Sequence, residues 1–128
     1  MERSAPIGVL GCGSSLPADR RSNEDIARYA GVSAEWIHSR TGMKSRRFAA
    51  PDEAASDLAL GALRAALAAA GLDADQLSLI LVATSTPDTL TPATACYVQH
   101  KIKATHAVAL DVSAACSGWL FATRMAHD

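Results

Sequence analysis

Hydrophobic and polar positions change their period along the chain, and this change predicts long helical segments followed by alternating strands and helices. Residues 53–70 carry apolar side chains at helical spacing and are rich in alanine, and Gly71 is a typical helix end. From residue 77 onwards, short apolar runs predict strands over 79–84 and 106–112, the second buried on both faces. Thr91 followed by proline predicts a helix from there to about residue 103. Such alternation implies parallel strands joined by right-handed crossovers, which is an α/β fold.

The first third of the chain predicts shorter elements. Ile7–Gly13 has the pattern of a small-residue strand in which glycines allow close backbone packing. Ser22 and Ser33 each precede a helical pattern and are favourable N-cap residues. Gly31 and Gly42 follow those patterns and predict where the two helices end.

Cys116 follows the second predicted strand and lies at the start of a predicted helix, among small neighbours such as Ala114 and Ala115. The unpaired N–H groups and the positive dipole end of a helix favour a thiolate and can hold a developing oxyanion. The position therefore predicts a nucleophile. The alternative is a buried cysteine that acts only as a small hydrophobic residue.

Trp36 and Arg40 lie four residues apart, hence on one face of the second predicted helix. An indole ring can stack on a flat base, and a guanidinium can bind a phosphate through two hydrogen bonds. Lys44, Arg46 and Arg47 follow and form a local basic cluster. The alternative is that Trp36 anchors the core and the basic residues form a solvated loop.

Composition narrows the class of protein. The chain has 128 residues, a hydrophobic content of 49% and a formal net charge of -1, which are typical of a single globular domain. The near-zero charge gives no general attraction to nucleic acid or to an anionic membrane. The three cysteines lie far apart, and no apolar run is long enough to span a bilayer. We therefore expect no metal site, no nucleic acid or membrane partner, and a cytoplasmic location.

Three motifs resemble, in order, those of beta-ketoacyl-ACP synthase III, the initiating condensing enzyme of type II fatty acid synthesis. They are the active-site cysteine motif at 112–118, the first substrate-binding segment at 35–42, and the strand and loop at 79–87. The resemblance covers essentially the whole chain. It implies a thiolase-like fold, which has αβαβα layers in the full family, and of which residues 1–128 would form an incomplete N-terminal half.

The resemblance also implies roles for individual residues. It makes Cys116 the acylated nucleophile and places Trp36 and Arg40 at coenzyme A positions. Thr91 stands where relatives carry a residue, often aromatic, that closes the acyl pocket of the dimer partner, so we expect a pocket that admits a primer larger than acetyl. Val32 replaces a hydroxyl residue that is frequent in relatives, so a hydrogen bond to the adenine is not expected.

The resemblance further implies that acyl-CoA is the substrate and malonyl acyl carrier protein the acceptor. It also implies a homodimer and no permanently bound cofactor. Relatives complete the condensing site with a histidine and an asparagine from their second half, and none of the four histidines here stands in a matching motif. We therefore expect a truncated or split protein that does not condense by itself. The alternatives are a polyketide priming synthase, an acyltransferase or hydroxymethylglutaryl-CoA synthase-like protein of the same fold, or a non-catalytic fragment.

Overall fold

The computed structural model describes residues 7–128, which form two compact units. One unit comprises residues 16–53, and the other combines the described residues up to Ser15 with residues 54–128. The first unit contains β1 (Asp19–Ser22), α1 (Asn23–Ala30), α2 (Ala34–Thr41) and β2 (Ser45–Phe48). Its two strands pair in antiparallel fashion.

Local capping determines the ends of α1 and α2, as the sequence predicts. Ser22 is the N-cap of α1 and forms a reciprocal capping box with Asp25. Ser33 accepts a hydrogen bond from the backbone N–H of the third residue of α2. Gly31 and Gly42 end the two helices with φ values of 68° and 70°, which favour glycine because they are left-handed.

The second unit contains α3 (Ala55–Ala70), β3 (Leu79–Ala83), α4 (Thr94–Ile102), β4 (Val108–Val112) and α5 (Gly118–His127), with 3₁₀ turns at Ala74–Gln76 and Ala115–Ser117. Strands β3 and β4 pair in parallel, in register from Leu79 opposite Val108 to Ala83 opposite Val112. The predicted strand–helix–strand crossover is therefore confirmed. Its buried core consists of Ile80, Ala95, Val98, Ala104 and Ala107.

The predicted strand at Ile7–Gly13 is wrong. These residues have no regular secondary structure, and none of the strands among the described residues pairs with them. The expected close backbone packing is nevertheless present. A Cβ atom added to Gly11 or Gly13 would collide with the carbonyl oxygen of Ala66 or Ala62 on α3, so the absence of a side chain is what allows this contact.

Two helices start later than predicted, and carboxylates distant in sequence accept N–H groups of their first turns. Helix α4 begins at Thr94 rather than Thr91, and its backbone N-cap, Ala93, makes no side-chain cap bond. The Asp111 carboxylate on β4 accepts the first two N–H groups of α4 instead. Helix α3 likewise begins at residue 55 rather than 53, and Asp88 accepts one of its N–H groups.

Large apolar side chains remain exposed on several segments of the second unit, among them β4 and α5. Val108 on β4 is 60% exposed, so the expectation that this strand is buried on both faces is wrong. Helix α5 also exposes several large hydrophobic side chains, namely Trp119, Leu120, Phe121 and Met125. The described residues alone do not cover this surface.

Asp57 and Lys101 join α3 to α4 and predict a measurable pH dependence of stability. Lys101 Nζ lies 2.6 Å from an Asp57 oxygen and 2.7 Å from Ser56 Oγ. The hydrogen bond from Lys101, followed by that from the Ala54 N–H, lowers the pKa of Asp57 below its usual range. The carboxylate therefore stabilises the fold above the pKa of the unfolded chain, about 4, and this contribution is lost as the pH falls through the lower folded pKa.

We accordingly expect Asp57→Asn to lower the free energy of unfolding at neutral pH and to make it less dependent on pH between about 5 and 2. Denaturant unfolding across that range measures the effect. Asp75→Asn, in an exposed 3₁₀ turn, is the control and should keep the wild-type profile. Identical profiles for Asp57→Asn and the wild type would contradict the assignment.

Candidate active site

Cys116 lies in the 3₁₀ turn that joins β4 to α5, in agreement with the predicted strand-to-helix position. Its thiol is free and exposed, which excludes the alternative of a buried hydrophobic cysteine. Cys96 is half-buried, and its sulfur lies 3.9 Å from the carbonyl oxygen of Ala109. Cys12 is also exposed, but it lies in the irregular segment before β1. Among the three thiols, Cys116 therefore combines exposure with a turn at a helix start.

The backbone of this turn is strained. Ala115, immediately before Cys116, has a φ of 45°, a region that residues with a side chain rarely occupy. The Ser117 N–H donates to the carbonyl of Ala114 at 3.0 Å and closes the turn. Strain of this kind costs about 1–3 kcal/mol and is found preferentially at functional sites, where the surroundings impose it.

The first residue of α5 brings this helix against the end of β3. Gly118 is buried, and a Cβ atom added to it would lie 3.2 Å from Cβ of Ala83. Only a small residue allows so close an approach. The contact of Gly118 with Ala83 thus fixes the C-terminal end of the Cys116 turn against β3.

Cys116 and Thr91 lie on loops that leave the same edge of the sheet, because β3 and β4 are parallel and neighbouring. The Thr84 N–H donates to the carbonyl of Val112 at 3.2 Å and joins the two strands at this edge. The loop between β3 and α4 then exposes Thr91 and its neighbour Leu90, which is 99% exposed. The carboxyl edge of a parallel sheet is where α/β folds bind ligands.

Trp36 and Arg40 come together on α2, as their spacing predicts. The guanidinium carbon of Arg40 lies 5.9 Å from the centroid of the Trp36 ring, within the range of a cation–π contact. Trp36 is 51% exposed, whereas Ile37 is the buried anchor of this helix. The alternative in which Trp36 anchors the core is therefore wrong. Both residues belong to the unit of residues 16–53.

The basic cluster after α2 does not form the solvated loop of the alternative interpretation. Arg46 and Arg47 lie on β2, opposite Arg21 and Arg20 respectively. Arg47 donates to the carbonyl oxygens of residues 17 and 18, each at 3.0 Å, and Arg46 donates to Asn23 at 3.4 Å. These two guanidinium groups therefore stabilise the first unit.

Asp111 is not among the predicted functional residues, although its carboxylate binds the start of α4. An acidic residue at the end of an apolar strand is a usable signal, because a carboxylate in such a place needs hydrogen-bond donors. Residues 7–128 contain no group of three His, Cys, Asp or Glu side chains arranged to hold a metal ion. None of their helices is both long and apolar enough to cross a bilayer.

Comparisons with known proteins agree with the resemblance seen in the sequence. No protein-family model matches the chain. The chain is 48% identical, over 123 residues, to the beta-ketoacyl-[acyl-carrier-protein] synthase III of Symbiobacterium thermophilum, which corresponds to 96% of this chain and 37% of that protein. It is 51% identical, over 114 residues, to acetoacetyl CoA synthase NphT7 of Streptomyces sp. strain CL190, which corresponds to 89% of this chain and 35% of that protein.

A solved structure shows the same likeness. The crystal structure of the priming beta-ketosynthase from the R1128 polyketide biosynthetic pathway matches with a TM-score of 0.88 at 38% identity, over 92% of this chain and 35% of that chain. The expected α/β fold of thiolase type is therefore confirmed. The chain spans little more than a third of the length of the curated relatives it matches.

Proposed function

This chain belongs, over the segment it covers, to the beta-ketoacyl-ACP synthase III family, and we propose that the protein is a condensing enzyme that takes an acyl group from acyl-CoA onto Cys116. The observation that carries the proposal is the exposed Cys116 thiol in a strained turn between a parallel strand and a helix. Relatives that are about half identical to the chain support it. The expectation that these residues form an N-terminal half-domain stays a prediction.

The first reaction step is acyl transfer to sulfur. The Cys116 thiolate attacks the carbonyl carbon of the acyl-CoA thioester and forms a new carbon–sulfur bond. The bond from that carbon to the coenzyme sulfur breaks, and the coenzyme thiolate takes up the proton that Cys116 has lost. Nucleophilic catalysis of this type divides one difficult transfer into two easier ones.

The second step is decarboxylative condensation. A malonyl thioester loses carbon dioxide, and its enolate carbon attacks the acyl-enzyme carbonyl and expels the Cys116 thiolate. From the family resemblance we expect a histidine and an asparagine to polarise the malonyl thioester. We assign neither role to a residue of this chain.

Trp36 and Arg40 are our candidates for binding the coenzyme nucleotide. The half-exposed indole offers a face on which the adenine can stack, and the neighbouring guanidinium can bind a phosphate. Val32, just before the N-cap of α2, has no hydroxyl group with which to bind the adenine. Stacking and charge therefore carry the recognition of the nucleotide in this proposal.

We further propose that malonyl acyl carrier protein is the acceptor, that the protein is a homodimer, and that it works in the cytoplasm without a permanently bound cofactor. The dimer proposal follows from the expected role of Thr91 in the pocket of the partner subunit. It is also supported by the exposed apolar side chains of α5. The three free thiols suit a reducing compartment.

A priming ketosynthase of polyketide synthesis is the second candidate function, because a priming beta-ketosynthase is among the most similar solved structures. The names of the relatives also differ in the carrier of the product, since one is a beta-ketoacyl-[acyl-carrier-protein] synthase and another an acetoacetyl CoA synthase. A product assay that offers malonyl acyl carrier protein and malonyl-CoA side by side distinguishes these acceptors. An alcohol or amine acceptor tests for an acyltransferase instead.

The proposed function is tested by the intact mass of the purified protein before and after incubation with a short acyl-CoA. A gain equal to one acyl group, removed by hydroxylamine, supports acyl transfer to a thiol. If the protein stays unmodified although iodoacetamide alkylates Cys116, the acyl-transfer proposal is wrong. The non-catalytic alternative then becomes the better explanation.

Thr91 leads to a prediction about the size of the acyl group. We expect the protein to accept primers longer than acetyl, and we expect Thr91→Phe to reduce the use of those primers while acetyl transfer persists. One methylene group more or less in a hydrophobic pocket changes kcat/KM by about 10- to 200-fold. We therefore expect Thr91→Phe to lower kcat/KM for butyryl-CoA by at least about tenfold. A competition among acyl-CoAs of increasing length measures this preference.

Thr105→Phe is the matched control, because Thr105 is an exposed threonine beyond the end of α4. It should leave the preference for chain length unchanged. Strict selection of acetyl-CoA by the wild-type protein would contradict the prediction.

A further inference from the structure

We propose that Asp111 is a positioning residue for Cys116, an inference that rests on the proposed function. Its carboxylate accepts the backbone N–H of Thr94 at 2.7 Å and that of Ala95 at 2.8 Å. Both donor residues are completely buried, and Ala93 at the N-cap position makes no side-chain cap bond. Asp111 therefore supplies the cap that α4 lacks locally, and it does so from the strand that leads to Cys116.

The turn that carries Cys116 is anchored on both sides. Asp111 ties the end of β4 to α4, and Gly118 holds the start of α5 against Ala83 at the end of β3. Only six residues separate these two anchors. The position of the Cys116 sulfur is therefore set by the distance and direction between them.

Backbone strain explains why these anchors matter for the chemistry. Ala115 holds a φ of 45°, and a residue with a side chain keeps such a conformation only where its surroundings impose it. Loosening the Asp111 anchor would let the turn relax toward ordinary backbone angles. Cys116 would then move relative to the N–H groups at the start of α5, although the protein stays folded.

The charge of Asp111 is part of the inference. A carboxylate offers acceptors to both N–H groups, and its negative charge is favoured at the positive end of a helix. Asparagine has nearly the same shape, but it keeps only one oxygen and turns an NH₂ group toward the second N–H. Asp111→Asn therefore breaks one of the two bonds without creating a cavity.

The test compares Asp111→Asn with Asp88→Asn. Asp88 accepts one N–H group in the first turn of α3, that of Ser56, at 2.9 Å, but it does not lie on the strand of Cys116. We expect both variants to lower the thermal midpoint. Only Asp111→Asn should reduce the rate of Cys116 alkylation by iodoacetamide, and of its acylation by acetyl-CoA, by tenfold or more, with a changed pH profile of alkylation. Site-specific mass spectrometry follows Cys116 at a temperature where all proteins are folded.

A second variant separates positioning from stability. Adding Ala93→Asp to Asp111→Asn gives α4 a local N-cap and should recover stability, but it does not restore the bond between α4 and β4. We expect the alkylation and acylation rates of Cys116 to stay low in this double variant. Recovery of the Cys116 rate together with stability would overturn the proposal, and so would an Asp111→Asn protein that loses stability alone. An equal loss of the Cys116 rate in Asp88→Asn would do the same.

The alkylation arm keeps this inference distinct from the proposed function. If neither acetyl-CoA nor a longer acyl-CoA acylates the wild-type protein, acyl transfer is wrong. The effect of Asp111 on the alkylation of Cys116 still confirms or overturns positioning in that case.

Discussion

Replacing Cys116 by alanine is expected to abolish the formation of the acyl-enzyme. The sulfur of Cys116 is the atom that carries the acyl group in the proposed mechanism, and the methyl group of alanine cannot replace it. Loss of a catalytic nucleophile typically costs about a millionfold in turnover, so no adduct should be detected by intact mass. The fold should persist, because the Cys116 side chain is exposed and leaves no cavity when it is removed.

The other two cysteines provide the matched controls. Cys12→Ser removes a thiol that is also exposed, and Cys96→Ser removes one that is half-buried beside Ala109. Both variants should still gain one acyl group from acyl-CoA, on the peptide that contains Cys116. An adduct that persists in Cys116→Ala and disappears in Cys12→Ser would show that Cys12 carries the acyl group, and this would refute our mechanism.

Removing the Trp36 indole is expected to have the next largest effect, on the use of the coenzyme ester. Stacking of a base on an aromatic side chain is worth about 1–3 kcal/mol, so Trp36→Ala should lower kcat/KM for acyl-CoA by about 5- to 150-fold. Arg40→Gln removes a charged hydrogen bond to phosphate and should act in the same direction, by about tenfold or more. Initial rates of acyl transfer to Cys116 at subsaturating acyl-CoA measure both effects.

A substrate without the nucleotide makes this prediction specific. An acyl-pantetheine carries the same thioester but neither the adenine nor its phosphates, so Trp36→Ala and Arg40→Gln should use it as well as the wild type does. Arg28→Gln is the matched control for charge, because Arg28 lies in the last turn of α1 with its side chain largely exposed. Equal losses on acyl-CoA and acyl-pantetheine would show that the two residues do not recognise the nucleotide.

Much of the local structure followed from sequence-local rules. The serine N-caps and the glycine ends of α1 and α2 depend on neighbouring residues alone, and the structure contains them as predicted. The same is true of the four-residue spacing that brings Trp36 to Arg40. The parallel pairing of β3 and β4 was also predictable, because a crossover helix between two apolar strands allows little else.

Predictions failed where a partner distant in sequence decides the outcome. Helix α4 starts at Thr94 because Asp111, seventeen residues later, supplies its cap. The alternative of a solvated loop at Arg46 and Arg47 is wrong because β1 lies beside them, backbone carbonyls accept hydrogen bonds from Arg47, and the Asn23 side chain accepts one from Arg46. The residues next to the two arginines in the sequence specify neither the neighbouring strand nor these hydrogen bonds.

The sequence by itself determined the fold class, the helix ends that use local caps, and the place of Cys116 between a strand and a helix. Hydrophobic period and capping chemistry act over a few residues, so they can be read along the chain. Only the tertiary structure decided that the Cys116 thiol is exposed, that Ala115 is strained, and that Asp111 caps α4. Exposure, imposed strain and long-range hydrogen bonds depend on which distant segments pack together, and no local pattern of residues specifies that.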